Sequence, residues 1–105
     1  MSLTTITFFE RFEADILSGK KTITIRNQDE KDFLLNSQVS VATFEQGRWF
    51  CDLMIKSVEP IQFKDLSQLH AAQENMTLSE LKSVIREIYP QTETLYVISF
   101  SLVAN

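Results

Sequence analysis

Apolar and polar residues alternate along this chain in short stretches, the pattern of β-strands that bury one face. We predict strands in the five segments that share this alternation: residues 4–8, 21–26, 38–44, 48–58 and 94–103. Glu45, Gln46 and Gly47 lie between the third and fourth segments and are typical of a hairpin turn. The sequence therefore predicts a fold rich in short strands.

One apolar face is expected in the fourth segment, and four side chains share it: Trp49, Cys51, Leu53 and Ile55. Pro60 breaks the strand pattern, because proline has no N–H to donate to a neighbouring strand. Residues 61–63 are therefore a candidate for a separate short strand.

Apolar residues at helical spacing indicate a first helix over residues 10–18, with Phe9, Phe12 and Ile16 on one side. Gly19 suits its C-terminal cap, because glycine tolerates the left-handed conformation that commonly ends a helix. A turn or two of helix is expected over residues 66–74.

The third predicted helix has clearer signals at both ends. Thr77 and Glu80 form the spacing of a capping box, and Pro90 closes the helix after Tyr89. Its apolar stripe consists of Leu78, Leu81, Val84, Ile85 and Ile88.

Strands outnumber helices, and neither a strand–helix–strand rhythm nor a glycine-rich turn indicates a doubly wound sheet. We predict an α+β fold of one domain over residues 1–105: a small, closed or nearly closed β-barrel with flanking helices. Closure would also protect the edge strands.

The composition limits the partners of such a domain. The net charge of −4 disfavours tight binding to nucleic acid, which needs many cations against phosphates, although a local basic groove is still compatible with it. A small-molecule substrate fits better. A single cysteine, no apolar run near 20 residues and no signal-like N-terminus predict a cytoplasmic chain without disulfides or membrane spans.

Residues 19–26 carry the most unusual chemistry of the chain. Two ammonium groups, two hydroxyls and a guanidinium lie in or beside one strand; they belong to Lys20, Lys21, Thr22, Thr24 and Arg26. A lysine among other cations loses its proton more easily, and a neutral amine beside a hydroxyl can activate it as a nucleophile. In a regular strand Lys21 and Thr24 would point to opposite faces, unless Lys21 still belongs to the turn after Gly19. The alternative is a pair of exposed lysines beside threonines that favour strands.

A second polar cluster follows His70 near the end of the short second helix. Glu74 lies one turn after His70, at a helix C-terminus where the helix dipole disfavours a carboxylate. Such a position suggests an acid placed for proton transfer, and a solvated glutamate is the alternative. Asn75 is a candidate C-cap.

Other site chemistries find little support. His70 and Glu74 have helical ligand spacing, but no other histidine or cysteine pair completes a metal site, so we expect no metal and no cofactor. Cys51 with His70 could form a thiol nucleophile and its base, but Cys51 shares an apolar face and is expected to be a buried hydrophobe.

Four stretches carry a resemblance to a known family: residues 6–12, residues 15–17, residues 19–26 and above all the run of residues 70–78, His-Ala-Ala-Gln-Glu-Asn-Met-Thr-Leu. In these the chain resembles the small bacterial N(4)-acetylcytidine amidohydrolases of the ASCH superfamily, and the resemblance covers nearly the whole sequence. It implies a PUA-like barrel, in agreement with the fold predicted above. It also implies that Lys21 is the proton acceptor, Thr24 the nucleophile and Glu74 the proton donor.

The resemblance implies a hydrolase that releases acetate and cytidine from N(4)-acetylcytidine. Arg26 or nearby backbone amides are candidates for binding the oxyanion. Lys21 must then have a lowered pKa, and we expect that Lys21→Met raises thermal stability at neutral pH. Two alternatives stay open: a PUA-like RNA-binding module without catalysis, and an amidohydrolase for another acylated nucleobase. A monomer is the default expectation.

Overall fold

The computed structural model describes residues 3–103. Within them the strands are β1 (Thr5–Phe8), β2 (Ile23–Arg26), β3 (Gln38–Thr43), β4 (Trp49–Gln62) and β5 (Thr94–Leu102). The α-helices are α1 (Glu13–Leu17), α2 (Gln68–Gln73) and α3 (Leu78–Ile88). Short 3-10 helices cover Glu10–Phe12, Gln28–Glu30 and Phe63–Asp65.

All five strands form one mixed sheet in the order β1-β3-β4-β5-β2. β1 runs parallel to β3, and the other neighbours are antiparallel. The predicted α+β class is confirmed, but the closed form of the barrel is wrong, because no ladder joins β1 to β2 in residues 3–103. A side chain links these edge strands instead: Arg26 Nη2 donates a hydrogen bond to the Thr7 carbonyl over 2.8 Å.

β4 continues through Pro60, where the sequence predicted a break. Beyond the irregularity between Ile55 and Ser57, β4 pairs with β5 as far as Gln62, whereas its ladder with β3 extends only to Met54, opposite the first residue of β3, Gln38. Pro60 therefore lies where β4 has a neighbour on one side only, the setting in which a strand tolerates proline. The candidate short strand at residues 61–63 is the end of β4, followed by a 3-10 turn.

Trp49 is 53% exposed, whereas Cys51, Leu53 and Ile55 are buried as predicted. The register of β3 against β4 shifts between Val41 and Ala42. Such a bulge inserts an extra residue in one strand and changes the face on which the following side chains lie. This local change separates Trp49 from the apolar face assigned to it.

The helices follow their predicted caps closely. Gly19 has a φ of +80° just after α1, and Asn75 adopts a φ of +58° just after α2. Thr77 and Glu80 form the predicted capping box of α3. The predicted first helix is instead a 3-10 turn followed by the short α1, and α2 is shorter than expected. None of the helices described in residues 3–103 is long and apolar enough to cross a membrane.

Two apolar clusters lie on opposite sides of β2 and β5. Ile23 and Ile25 pack with Leu81 and Ile85 of α3, while Ile98 packs in the second cluster with β1, β3 and β4. Side chains alternate along a strand, so Thr24 and Arg26 lie on the face of β2 opposite Ile23 and Ile25. The packing of α3 thus determines which face of β2 is left for polar chemistry.

Candidate active site

Lys21 lies in the turn between α1 and β2, two residues before the strand begins. The N–H groups of Lys20 and Lys21 both donate to the Asp15 carbonyl, each over 3.0 Å, and the N–H of Thr22 donates to the Gln73 carbonyl over 2.8 Å. This turn removes the predicted difficulty that Lys21 and Thr24 would face apart. Both side chains are buried, at 3% and 4% exposure.

Glu74 is the C-cap of α2 and is also buried, at 5% exposure. Its N–H donates to the His70 carbonyl over 3.0 Å, and Asn75 then turns the chain with a left-handed conformation. Asn75 Nδ2 donates to Asp15 Oδ1 over 3.1 Å. Asp15 therefore contacts both the turn that carries Lys21 and the turn that follows Glu74.

Lys21 Nζ contacts Glu74 Oε1 directly. The phenyl rings of Phe8 and Phe12 lie over the amine, with centroids 5.7 and 5.1 Å away. Burial lowers the pKa of Lys21 from 10.5 to about 7, with a further lowering by the positive charge of Arg26, while Asp15 acts in the opposite direction. The side chain is thus placed to exchange a proton near neutral pH.

The Thr24 hydroxyl accepts a hydrogen bond from Arg26 Nε over 2.9 Å. A guanidinium donates and never accepts, so the Thr24 hydroxyl proton stays available to a base. The positive charge beside Oγ1 also favours an alkoxide there.

Three further contacts fix the Arg26 guanidinium. Nη2 donates to the Thr7 carbonyl, Nη1 lies 3.7 Å from Glu30 Oε2, and the group stacks over Phe8 at 5.0 Å from the ring centroid. The Tyr89 hydroxyl donates to the same Glu30 oxygen. Burial and this hydrogen bond raise the pKa of Tyr89, so it stays a protonated donor.

One cavity of about 190 Å³ is lined by four of the residues described above: Lys21, Thr24, Arg26 and Glu74. The structure therefore brings together all four site residues predicted from the sequence, whose catalytic roles stay predictions. Other residues complete its walls, namely the aromatic rings of Phe9, Phe12 and Phe44 and the α3-side residues Met76, Val84 and Ile88.

Three polar residues around the cavity were missed from the sequence: Asp15, Glu30 and Tyr89. Arg26 and Glu30 are four residues apart, but this spacing brings side chains together only on a helix, and Arg26 is the last residue of a strand. The other contacts join segments far apart in the chain, and no local pattern indicates them.

The alternatives for nucleophile and metal are not supported by the geometry. Burial raises the pKa of the Cys51 thiol to about 11, and Cys51 belongs to an apolar cluster. His70 Nδ1 instead lies 3.1 Å from the Ser67 N–H and hydroxyl at the start of α2. Within residues 3–103, no three His, Cys, Asp or Glu side chains are grouped to hold a metal ion.

A hydroxyl, a guanidinium and an amine–carboxyl pair on one apolar cavity suit acyl transfer: the hydroxyl can attack a carbonyl carbon, and the pair can move protons.

Comparison with known proteins gives a consistent result. The family model described as "ASCH domain" matches residues 4–104. A relative from Vibrio atlanticus (strain LGP32), named N(4)-acetylcytidine amidohydrolase, is 63% identical over 100 residues, which span 95% of this chain and 96% of the relative. A relative of the same name from Shewanella oneidensis is 56% identical over 103 residues, which span 98% and 99%.

Solved structures show the same fold at low sequence identity. The ASCH domain from Lactobacillus crispatus JV V101 has a TM-score of 0.75 and 17% identity, with coverage of 96% of this chain and 80% of the other. The crystal structure of ASCH from Zymomonas mobilis has a TM-score of 0.71 and 16% identity, with coverage of 95% and 66%. At these identities the likeness concerns the fold alone.

Proposed function

The chain belongs to the ASCH domain family, and we propose that it is an N(4)-acetylcytidine amidohydrolase that uses Thr24 as nucleophile, Lys21 as base and Glu74 as acid. The family assignment confirms the resemblance drawn from the sequence, and it confirms the predicted ASCH fold apart from the closed barrel. The reaction converts N(4)-acetylcytidine and water into cytidine and acetate.

The observation that carries the proposal is the direct contact between the Lys21 amine and the Glu74 carboxyl in a buried cavity. A neutral amine beside a carboxylic acid differs from the corresponding ion pair only in the position of one proton. Burial favours the neutral pair, because two charges without water are costly. That single protonation state supplies both the base and the acid that amide cleavage needs.

In the acylation half-reaction, Lys21 accepts the Thr24 hydroxyl proton while Oγ1 attacks the acetyl carbonyl carbon. Arg26 Nε, 2.9 Å from Oγ1, stabilises the negative charge on the attacking oxygen. Glu74 gives its proton to the exocyclic nitrogen, the carbon–nitrogen bond breaks, and cytidine leaves. The products of this step are an acetyl ester on Thr24, a protonated Lys21 and a deprotonated Glu74.

The second half-reaction reverses these roles. The Glu74 carboxylate accepts a proton from water as the water oxygen attacks the ester carbonyl. The ester bond breaks, Lys21 returns its proton to Thr24 Oγ1, and acetic acid leaves and gives its proton to the solvent to become acetate. Each group ends in its starting protonation state. The oxyanion role predicted for Arg26 would fall to Nη1, because Nε and Nη2 are engaged by Thr24 and Thr7.

The two walls of the cavity support a flat heterocycle as the substrate. Phe9 and Phe44 meet edge to face, with ring centroids 5.4 Å apart, and Phe44 is 66% exposed. Val84 and Ile88 of α3 supply an aliphatic wall. An aromatic face on one side and aliphatic groups on the other suit a pyrimidine ring whose acyl group points towards Thr24.

The test is a paired assay with purified protein and N(4)-acetylcytidine. Wild-type protein should release cytidine, Thr24→Val should release none above background, and Thr22→Val, in an exposed threonine of the same segment, should behave as wild type. Rapid quenching of the wild type should reveal the added mass of one acetyl group on the peptide that contains Thr24. Full activity in Thr24→Val would remove this residue from the nucleophile role.

The range of substrates, the cellular location and the oligomeric state are further parts of the proposed function. Rates on other N-acylated nucleobases and on acetylated RNA would separate a nucleoside enzyme from the alternatives left open by the sequence. The single, buried cysteine supports a reducing, cytoplasmic location, and a monomer stays the default prediction.

A further inference from the structure

A row of polar contacts leads from α3 to the Thr24 hydroxyl. The Tyr89 hydroxyl donates to Glu30 Oε2, the same oxygen lies 3.7 Å from Arg26 Nη1, and Arg26 Nε donates to Thr24 Oγ1 over 2.9 Å. The row links the end of α3, the 3-10 turn after β2 and β2 itself.

These contacts restrict the orientation of the Arg26 guanidinium. The arginine is the last residue of β2, so the chain beyond it is no longer held by the ladder with β5. Thr7 and Phe8 contact the guanidinium from β1, and Glu30 contacts it from the opposite terminal nitrogen. A planar group held at both ends has little freedom to turn Nε away from Thr24.

On the basis of the proposed function, we propose that Glu30 and Tyr89 are positioning residues for the reaction: they hold Arg26 so that its Nε stays on the Thr24 hydroxyl. Tyr89 orients the Glu30 carboxylate, and Glu30 in turn orients the guanidinium. Neither residue needs to touch the reacting atoms.

The exposure of the Glu30 side chain distinguishes a role in positioning Arg26 from a role in stabilising the fold. The Glu30 side chain is 48% exposed, and exposed ion pairs contribute little to folding stability. Loss of the Glu30 charge should therefore leave the fold intact. Its effect on Thr24 should be larger, because Arg26 is 15% exposed and its hydrogen bond to Oγ1 lies in the cavity.

The negative charge of Glu30 also has an electrostatic consequence at Lys21. The amine faces Glu74 at the end of α2, Asp15 of α1 and Arg26 of β2. Glu30 offsets part of the Arg26 charge that lowers the pKa of Lys21. In Glu30→Gln the arginine is less compensated, so the pKa of Lys21 should fall further. The acidic limb of the rate profile should then move to lower pH.

The experiment compares Glu30→Gln and Tyr89→Phe with two matched controls. Glu93→Gln removes a 65% exposed glutamate that pairs with Arg86, and Tyr96→Phe removes the hydroxyl of the other tyrosine. Turnover of N(4)-acetylcytidine should fall about tenfold in kcat for Glu30→Gln and Tyr89→Phe, with KM nearly unchanged. Only Glu30→Gln should shift the acidic limb, and both controls should match wild type.

A second measurement does not depend on turnover. In ¹⁵N-labelled protein, the Arg26 Nε–H should exchange with solvent slowly in wild type and in both controls, and faster in Glu30→Gln and Tyr89→Phe. Unchanged exchange in those two variants, or wild-type kcat and pH profile, would overturn the positioning role. An inactive wild type would instead overturn the proposed hydrolase, and the exchange measurement would still decide the role of Glu30 and Tyr89.

Discussion

The Lys21 amine and the Glu74 carboxyl meet in the buried cavity, although one follows α1 and the other caps α2. Asp15 links the two turns, since its carbonyl accepts from the N–H of Lys21 and its carboxylate accepts from Asn75. A short helix with a single fully buried residue, Ile16, thus organises both residues of the proposed proton-transfer pair.

The first prediction concerns the pH dependence of kcat/KM. Protonation of the pair removes the base, so the rate should fall about tenfold for each pH unit below an apparent value near 7. Initial rates between pH 5 and 9 would measure it. A flat profile from pH 5 to 7 would exclude a neutral Lys21 as the base.

The second prediction separates the acid role of Glu74 from a structural role. Glu74→Gln keeps the size of the side chain but cannot protonate the leaving nitrogen, so cleavage of N(4)-acetylcytidine should fall by about 10²–10⁴-fold. An acetyl ester with a good leaving group needs no such proton. The first-turnover burst with that ester should therefore remain within about tenfold of wild type.

Equal losses of burst and amide cleavage in Glu74→Gln would contradict this assignment. Gln73→Glu is unsuitable as a control, because it adds a charge next to the pair. Glu59→Gln, in an exposed glutamate of β4, provides the matched change of chemistry away from the cavity.

The third prediction concerns substrate binding at the cavity wall. Phe44→Ala should raise KM for N(4)-acetylcytidine by about tenfold with a smaller change in kcat, because a stacking face of about 1–3 kcal/mol is lost. Trp49→Ala is the matched control: it removes an exposed aromatic residue of the same hairpin that does not line the cavity. Equal KM values for the two variants would show that Phe44 does not hold the base.

What the sequence revealed depended on how local each signal is. The capping box of Thr77 and Glu80 lies within one turn, so it was predicted correctly. The exposure of Trp49 depends on a bulge against β3, and the strand through Pro60 depends on where the ladder between β3 and β4 stops. Neither can be deduced from the alternation of a single strand.

The same distinction applies to the site. Thr24 and Lys21 were singled out because unusual residues crowd one segment, and Glu74 because of an unfavourable helix position, but the catalytic roles predicted for all three came from the family resemblance. The contact of Tyr89 with Glu30 joins the end of α3 to the 3-10 turn after β2. Only the folded chain brings these two side chains together.

The last prediction concerns stability. The sequence led to the expectation that Lys21→Met raises stability at neutral pH, on the assumption that nothing rewards a buried lysine. The contact with Glu74 changes this argument, because Lys21→Met also leaves a buried carboxyl without its partner. The expected gain should therefore appear when Lys21→Met is introduced into Glu74→Gln, with the double variant melting higher than Glu74→Gln at pH 7.

The pH dependence of stability tests the lysine directly. The pKa of Lys21 is about 7 in the folded protein and 10.5 in its ordinary range, so between these values Lys21 itself binds a proton in the unfolded chain and not in the folded one; comparison with Lys21→Met, which keeps Glu74, isolates this contribution. The free energy of unfolding of wild type should rise with pH across this window by up to about 4–5 kcal/mol relative to Lys21→Met, at about 1.4 kcal/mol per pKa unit. Below pH 7 the difference between the two proteins should be constant. Lys20→Met, in the exposed neighbour, should follow wild type throughout. Urea unfolding at several pH values from 6 to 10 measures these curves, and parallel curves for wild type and Lys21→Met would mean that Lys21 keeps its proton when folded.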